Sequence, residues 1–170
     1  MNVAPEAGRW LRPLLLASLV AGSLDLAFAL TFWGMKGVPP IAIVQSIASG
    51  VLGREAFAGG LATALLGVVL HYGIVAAMAA VYFHASDRIA PLRSHAVASG
   101  LIYGAILYGV MDGIVVPLSA AAMAEKPLTD LVIVVLAHMG VVGVPIALVD
   151  ARRAPAAPVR HTARSGTASP

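Results

Sequence analysis

Four long apolar segments, separated by short polar ones, dominate the pattern of hydrophobic and polar positions in this chain. Each reaches the length of about 20 residues that a helix needs to cross the hydrocarbon core of a bilayer. The pattern therefore predicts an all-α fold, an integral membrane four-helix bundle. Pro13 suits the first position of the first helix, and Pro145 predicts a kink in the fourth. The expected spans are residues 13–33, 58–83, 96–119 and 128–149.

The polar flanks of these spans define the expected domain organisation. Residues 1–12 form an N-terminal segment, and residues 13–150 form the four-span membrane domain. Residues 151–170 are rich in Arg, Ala and Pro without periodicity, so we expect a disordered tail. Ala27-Phe28-Ala29 has the form of a signal-peptide cleavage site, which is the alternative interpretation of the first apolar segment. Asp25 inside the segment, and the apolar residues beyond the site, favour an uncleaved span.

A short amphipathic helix is predicted between the first and second spans, at about residues 40–53. Gln45, Ser46 and Ser49 form its polar face, opposite apolar residues that recur at helical spacing. The helix is too short to cross a bilayer, so we expect it to lie on or dip into the membrane. It could pack over the bundle as a loop helix or cover a cavity as a lid.

Two aspartates and two histidines lie well inside the predicted spans, away from their ends, where an isolated charge costs a few kcal/mol. The odd-numbered spans each carry an acid in a G-x-x-D pattern, and the even-numbered spans each carry a histidine in an H-x-G-[IV]-V pattern. We expect them to face each other as a buried polar layer in which imidazole N–H groups donate to carboxylates. The two patterns also suggest a 2+2 internal repeat of a two-helix hairpin. The four residues are Asp25, His71, Asp112 and His138.

Three functions are open for this layer. Asp/His hydrogen bonds can hold helices in register, which would make the protein structural or assembly-related. Acids and histidines are also the components of a proton relay, which would fit a small proton-linked transporter or channel, as an oligomer. Ser23, Tyr103 and Tyr108 could extend such a polar path. Two histidines on separate helices could instead ligate haem or join the aspartates around a metal, although no dedicated signature leads us to expect a cofactor or metal.

Glycines four residues apart in the third span predict close helix packing. Packing within one chain is the expectation, and packing in a homo-oligomer or against a membrane-protein partner is the alternative. The glycines are Gly100, Gly104, Gly109 and Gly113.

Composition narrows the possible functions. The chain is 59% hydrophobic and 11% charged, whereas a soluble domain carries about 25% charged residues. The absence of cysteine excludes disulfides, thiolate catalysis and Cys-based zinc sites. No nucleophile elbow, H-E-x-x-H or phosphate loop occurs, so we expect no catalytic residues and no enzyme activity. The arginines lie in short segments between apolar runs, which points to a lipid bilayer and not to nucleic acid.

The distribution of basic residues predicts the orientation. Eight of the 11 Lys and Arg residues lie in the N-terminal segment, the 84–95 loop and the tail, against three in the other two loops. Because basic residues favour the cytoplasmic side, both termini are expected in the cytoplasm.

The segment Q-S-I-A-S-G-V-L-G at residues 45–53, with Ala56-Phe57, Gly59-Gly60 and His71, resembles a group of uncharacterised small four-helix bacterial inner-membrane proteins, a domain of unknown function. The resemblance covers roughly residues 14–150. It implies four spans in a bacterial inner membrane, and it implies no activity and no catalytic residues.

Overall fold

The computed structural model describes residues 6–122 and 126–153, which form a bundle of six helices and no strand. Four of the helices (α1, α3, α5 and α6) are long and apolar enough to cross a membrane. The prediction of an all-α bundle with four candidate spans is therefore confirmed. The helices are α1 Glu6–Gly34, α2 Pro40–Leu52, α3 Gly60–Ser86, α4 Pro91–Ser94, α5 Ala96–Leu118 and α6 Leu128–Ala151.

Two boundaries differ from the sequence-based expectation. Helix α1 begins at Glu6, so Pro13 lies inside it and not at its first position. At the other end, the fold continues through Arg153, which is buried, although residues 151–153 were expected to belong to a disordered tail. The remainder of that tail, residues 154–170, lies outside the described residues.

Proline and glycine separate the first three helices. Gly37, with a φ of 86°, turns the chain after α1, and Pro40 begins α2. Gly53 and Gly60, with φ of 59° and 57°, flank a 3₁₀ turn at Gly53–Phe57. These turns fold α2 back onto the first half of α3.

A turn of π-helix interrupts each of α5 and α6, and each lies just before a proline. The turn Met111–Val115 precedes Pro117, and the turn His138–Gly143 precedes Pro145. A proline inside a helix has no N–H for the carbonyl four residues back, and its ring clashes with that carbonyl. A wider turn relieves the clash, so the distortion predicted at Pro145 takes this form. Each π-turn carries one residue of the predicted polar layer.

The core of the bundle lies where the four long helices meet. Helix α1 packs against α3 and α6, and α5 packs closely against α6. Large apolar side chains cover the outer surface, as expected for helices that face lipid. The buried core includes Ala17, Ala21, Val75, Ala79, Phe83, Leu107, Val142 and Ile146.

Two of the four predicted packing glycines bring α5 against α6. A Cβ on Gly104 would lie 2.3 Å from the backbone oxygen of His138, and a Cβ on Gly100 would lie 2.7 Å from the Cα of Val144. The expectation of packing within the chain does not hold for Gly109 and Gly113, because a Cβ on either would meet no atom of a neighbouring described residue within 4 Å.

Two arginines and two aspartates join the ends of α3 and α6 to the 87–95 segment. Arg93 lies 2.6 Å from Asp87 and 3.1 Å from Asp150, and Arg153 lies 2.8 Å and 2.9 Å from the same two carboxylates. Both the Asp150 and Arg153 side chains are almost fully buried. We call these four residues the Arg/Asp cluster. The sequence pattern does not predict that Asp150 and Arg153 are buried in an ion pair, because both residues adjoin the predicted tail.

The start of α1 completes this end of the bundle. The Arg153 guanidinium lies 4.8 Å from the ring centroid of Trp10 and 4.9 Å from that of Phe83, within range for cation–π attraction. The N-terminal part of α1, the 87–95 segment and the end of α6 therefore meet on one side of the bundle. On the opposite side, Lys36 after α1 forms an ion pair with Asp130, near the start of α6.

Candidate functional site

A cavity of about 320 Å³ lies between α1, α3, α5 and α6, and α2 closes part of it. Its lining is mainly apolar and includes Trp33, Met78 and Val142. Six residues of the lining can titrate, and all four residues of the predicted polar layer are among them. The six are Asp25, His71, Tyr108, Asp112, Lys126 and His138.

Asp25 lines the cavity from α1 and is half-buried. Its carboxylate forms no hydrogen bond or ion pair with any residue of the described ranges 6–122 and 126–153. Each of the other four aspartates of the chain forms an ion pair with a lysine or an arginine. Asp25 is thus the one described aspartate whose charge the fold leaves uncompensated.

His71 projects from α3 and contacts α1 one turn before Asp25. Its Nε2 donates a hydrogen bond of 2.8 Å to the backbone carbonyl of Gly22. A Cβ at position 22 would lie 2.8 Å from the ring of Tyr72, the neighbour of His71, so glycine at this position lets α3 lie close to α1. Since Nε2 carries the proton, Nδ1 is the basic nitrogen of the neutral ring.

His138 is the first residue of the π-turn of α6, and it forms its hydrogen bond through the other ring nitrogen. Its Nδ1 donates a hydrogen bond of 2.9 Å to the carbonyl of Val134, one turn earlier in the same helix. Nε2 is therefore the basic nitrogen of the neutral ring. The ring also lies edge-on to Tyr108, with centroids 5.3 Å apart.

Asp112 pairs with Lys126, which follows α5 in the chain and also lines the cavity. Burial alone would lower the pKa of the Lys126 ammonium, but its hydrogen bond to Asp112 and the neighbouring negative charge raise the pKa above its ordinary value. The pairing could not be predicted, because it depends on the path of the loop between α5 and α6.

The predicted hydrogen bonds between aspartates and histidines do not form. The four side chains line one cavity, yet each histidine donates to a backbone carbonyl, and Asp112 binds a lysine. For His138 a carbonyl of its own helix satisfies the imidazole N–H, and for His71 a carbonyl of α1 does so without any carboxylate. The proposed sequence repeat is not matched by repeated contacts either, because His71 bonds to another helix and His138 to its own.

Three further hydroxyl groups were expected to extend a polar path. Ser23 bonds to the hydroxyl of Tyr72 at 2.8 Å, and Tyr103 donates to the carbonyl of Met78 at 2.8 Å, so both are satisfied by neighbouring helices. Tyr108 differs, because its hydroxyl is buried and has no hydrogen-bond partner among the described residues. Tyr108 also lines the cavity.

The predicted polar face of α2 points in two directions. Gln45 and Ser49 are buried, and the Gln45 amide donates to the carbonyl of Gly60 at 2.9 Å. Ser46 is exposed and lines the cavity, together with Ile43 and Ile47. Helix α2 therefore packs against α3 and also forms a wall of the cavity, which combines the two roles considered for it.

Gly67 holds α2 close to α3. A Cβ at this position would lie 1.9 Å from the backbone oxygen of Val44. The sequence contains no sign of this contact, because glycines are frequent throughout the spans.

The described residues contain no group of three His, Cys, Asp or Glu side chains arranged to hold a metal ion. The idea that the two histidines and two aspartates share one metal therefore has no support in the described geometry. Comparison with protein-family models, with curated proteins and with solved structures finds no match to this chain. The four candidate spans indicate a multi-pass membrane protein, and the cavity between them is its candidate functional site.

Proposed function

We propose that this protein is a small proton-linked membrane transporter in which the cavity is the transport site and Asp25 carries the proton. The observation that carries this proposal is the uncompensated Asp25 carboxylate in a cavity between candidate spans. An unpaired carboxylate at such a position costs a few kcal/mol, and ionisable groups retained there often mark proton or ion pathways. A neutral acid or a bound cation removes this cost.

The histidines support a relay of protons. His71 and His138 each have one ring nitrogen fixed by a carbonyl, so the other nitrogen can take up a proton without breaking a bond. Histidine exchanges protons near neutral pH. Apart from the histidines, Lys126 is the basic residue of the lining, and its ammonium group forms an ion pair with the carboxylate of Asp112. Helix α2 contributes no titratable side chain to the lining.

The structural alternative is less favoured, because the polar residues of the cavity do not tie the long helices together through side-chain pairs. That role falls to other residues: the Arg/Asp cluster on one side of the bundle, and the Lys36–Asp130 pair on the other. An Asp/His layer retained only for stability would be expected to form the missing hydrogen bonds.

The same proposal implies that the protein lies in a bacterial inner membrane, because this membrane carries the proton gradient that such a transporter uses. We place both termini in the cytoplasm, since the beginning of α1, the 87–95 segment and the end of α6 lie on one side of the bundle and carry most of the basic residues.

Purified protein in lipid vesicles tests the proposal. A pH-sensitive dye inside the vesicles reports proton entry after a pH gradient is imposed, with potassium and valinomycin present to compensate charge. Wild-type protein should accelerate proton entry, and Asp25→Asn should remove the acceleration. Glu55→Gln is the matched control, because Glu55 is an exposed acid in the turn after α2 and should not matter. Equal rates for wild-type and protein-free vesicles would contradict the proposal.

A further inference from the structure

The charges that line the cavity do not balance. Asp25 and Asp112 contribute two negative charges, and Lys126 contributes one positive charge. With both histidines neutral, the lining has a net charge of −1, located on Asp25 because Asp112 and Lys126 pair with each other. A solute with one positive charge would complete this balance, whereas an anion would add to the imbalance.

The remainder of the lining suits an apolar solute body. Most lining side chains are hydrocarbon or thioether groups, such as Leu26, Ile74 and Met111. The volume of about 320 Å³ lies at the small end of the range of about 300–1,000 Å³ for ligand pockets. A small ion without an apolar body would leave much of this space unfilled.

The two large aromatic rings of the lining already lie beside ammonium groups. The Nζ of Lys36 is 5.5 Å from the ring centroid of Trp33, and the Nζ of Lys126 is 5.8 Å from that of Tyr108. Such distances allow cation–π attraction. Because lysine ammonium groups already lie beside both rings, the preference for a cation over an anion rests on the Asp25 carboxylate and not on the rings.

The Tyr108 hydroxyl indicates which class of organic cation fits the cavity. It is buried and forms no hydrogen bond of normal geometry in the described part of the chain, where its near neighbour is the Lys126 ammonium beside the ring, although a buried hydroxyl ordinarily has a hydrogen bond. Its oxygen can accept a hydrogen bond from an N–H group. A quaternary ammonium ion has no such donor, whereas a protonated amine has at least one.

We infer that the cavity binds a small protonated organic amine with an apolar body, with the Asp25 carboxylate as its counterion and the Tyr108 hydroxyl as an acceptor for its N–H. This inference rests on the proposed function and names the class of solute that the proton is exchanged for. The ammonium ion and a proton compete for the Asp25 carboxylate, so that either one can neutralise its charge, and a proton already bound leaves to solvent when the ammonium ion takes its place. Two-way exchange at one carboxylate would couple outward movement of the amine to inward movement of a proton.

Three probes with a common benzyl group test the inference. They are protonated N,N-dimethylbenzylamine, the quaternary benzyltrimethylammonium ion, and the anion benzylsulfonate. Binding is measured by calorimetry on the purified full-length protein in lipid nanodiscs, at neutral and mildly acidic pH. We expect the amine to bind most tightly, the quaternary ion about tenfold more weakly, and the sulfonate not at all. Amine binding should weaken at acidic pH, because protons compete for the same carboxylate.

Two pairs of variants assign the contacts. Asp25→Asn should abolish binding of both cations, and Asp25→Glu, which keeps the charge, should retain it. Tyr108→Phe should weaken only the amine and so remove its advantage over the quaternary ion, whereas Tyr72→Phe, outside the cavity lining, should leave both unchanged. Cation binding that survives Asp25→Asn, or tighter binding of the sulfonate, would overturn the inference.

The proton assay separates this inference from the function on which it rests. Proton entry that depends on Asp25, together with no binding of either cation, would overturn the amine inference and leave proton transport standing. Amine binding that depends on Asp25, without proton entry even when the amine is loaded inside the vesicles, would support the binding site and overturn the transport proposal.

Discussion

His71 donates its hydrogen bond to the carbonyl of Gly22, at 2.8 Å, and leaves the carboxylate of Asp25 in the next turn of α1 without a partner among the described residues. The contact holds the imidazole by the backbone, where its strength does not depend on the charge of any neighbouring side chain. The basic nitrogen of the ring is then available to the cavity. A histidine fixed in this way can change its protonation state while the two helices keep their positions.

The two cavity histidines should therefore be found in opposite neutral tautomers. His71 should carry its proton on Nε2 and His138 on Nδ1, because each donates to a carbonyl from that nitrogen. Nitrogen-15 NMR of histidine-labelled protein in lipid distinguishes the two tautomers directly. His71→Gln and His138→Gln assign the signals. The same tautomer at both positions would contradict the hydrogen bonds described.

Two glycines of α5 should differ sharply in their tolerance of a methyl group. Gly104→Ala places a Cβ against the backbone of α6, which cannot move aside, so we expect a loss of about 1–3 kcal/mol in the free energy of unfolding. Gly109→Ala should be neutral or slightly stabilising, because no neighbouring atom of the described residues lies within 4 Å of the added Cβ. Thermal unfolding in detergent measures both. A Gly109→Ala loss as large as that of Gly104→Ala would show that this face is covered in the membrane.

Arg153 should be essential for stability, and its neighbour Arg152 should not. Arg153→Ala leaves two buried or half-buried carboxylates with the guanidinium of Arg93 alone, and breaking such a buried pair costs about 3–5 kcal/mol. Arg152 is exposed, so Arg152→Ala removes the same charge without the contacts. Unfolding by denaturant compares the two. Equal stabilities would show that the cluster contributes only through net charge.

Asp87 should make the fold sensitive to acid. Burial alone would raise the pKa of its carboxyl, but the hydrogen bonds and charges of Arg153 and Arg93 hold the pKa below its ordinary value of about 3.9. A lowered pKa gives stability that is present above about pH 4 and is lost as the pH falls through the pKa of the folded state. Asp87→Asn should therefore be less stable at neutral pH, and its stability should fall less between about pH 4 and 2. Parallel curves for the two proteins would contradict this.

The sequence predicted the spans better than the contacts. Continuous apolar runs define a membrane helix whatever its neighbours are, so the four candidate spans emerged within a few residues of the observed helices. The common position of Asp25, His71, Asp112 and His138 around one cavity also accords with their spacing in the spans. Their bonding partners could not be predicted, because backbone carbonyls such as that of Gly22 leave no trace in the residue pattern.

Contacts made by residues in loops and near the chain ends were the least predictable. Lys126 lies in a loop, and its contact with Asp112 depends on how α5 and α6 pack. Arg153 lies in a stretch whose composition is typical of a polar tail. A charge at the edge of an apolar run usually marks only the end of a span. Here it becomes buried because aspartates on two other segments surround it.

The position of Arg153 also bears on how the protein is made. Ribosomes synthesise this arginine after all four spans, yet it completes a cluster with Asp87, which emerges much earlier. Without the guanidinium of Arg153, Asp87 and Asp150 would share that of Arg93 alone. We therefore expect the end of α3 and the end of α6 to reach their final packing only after Arg153 has been synthesised.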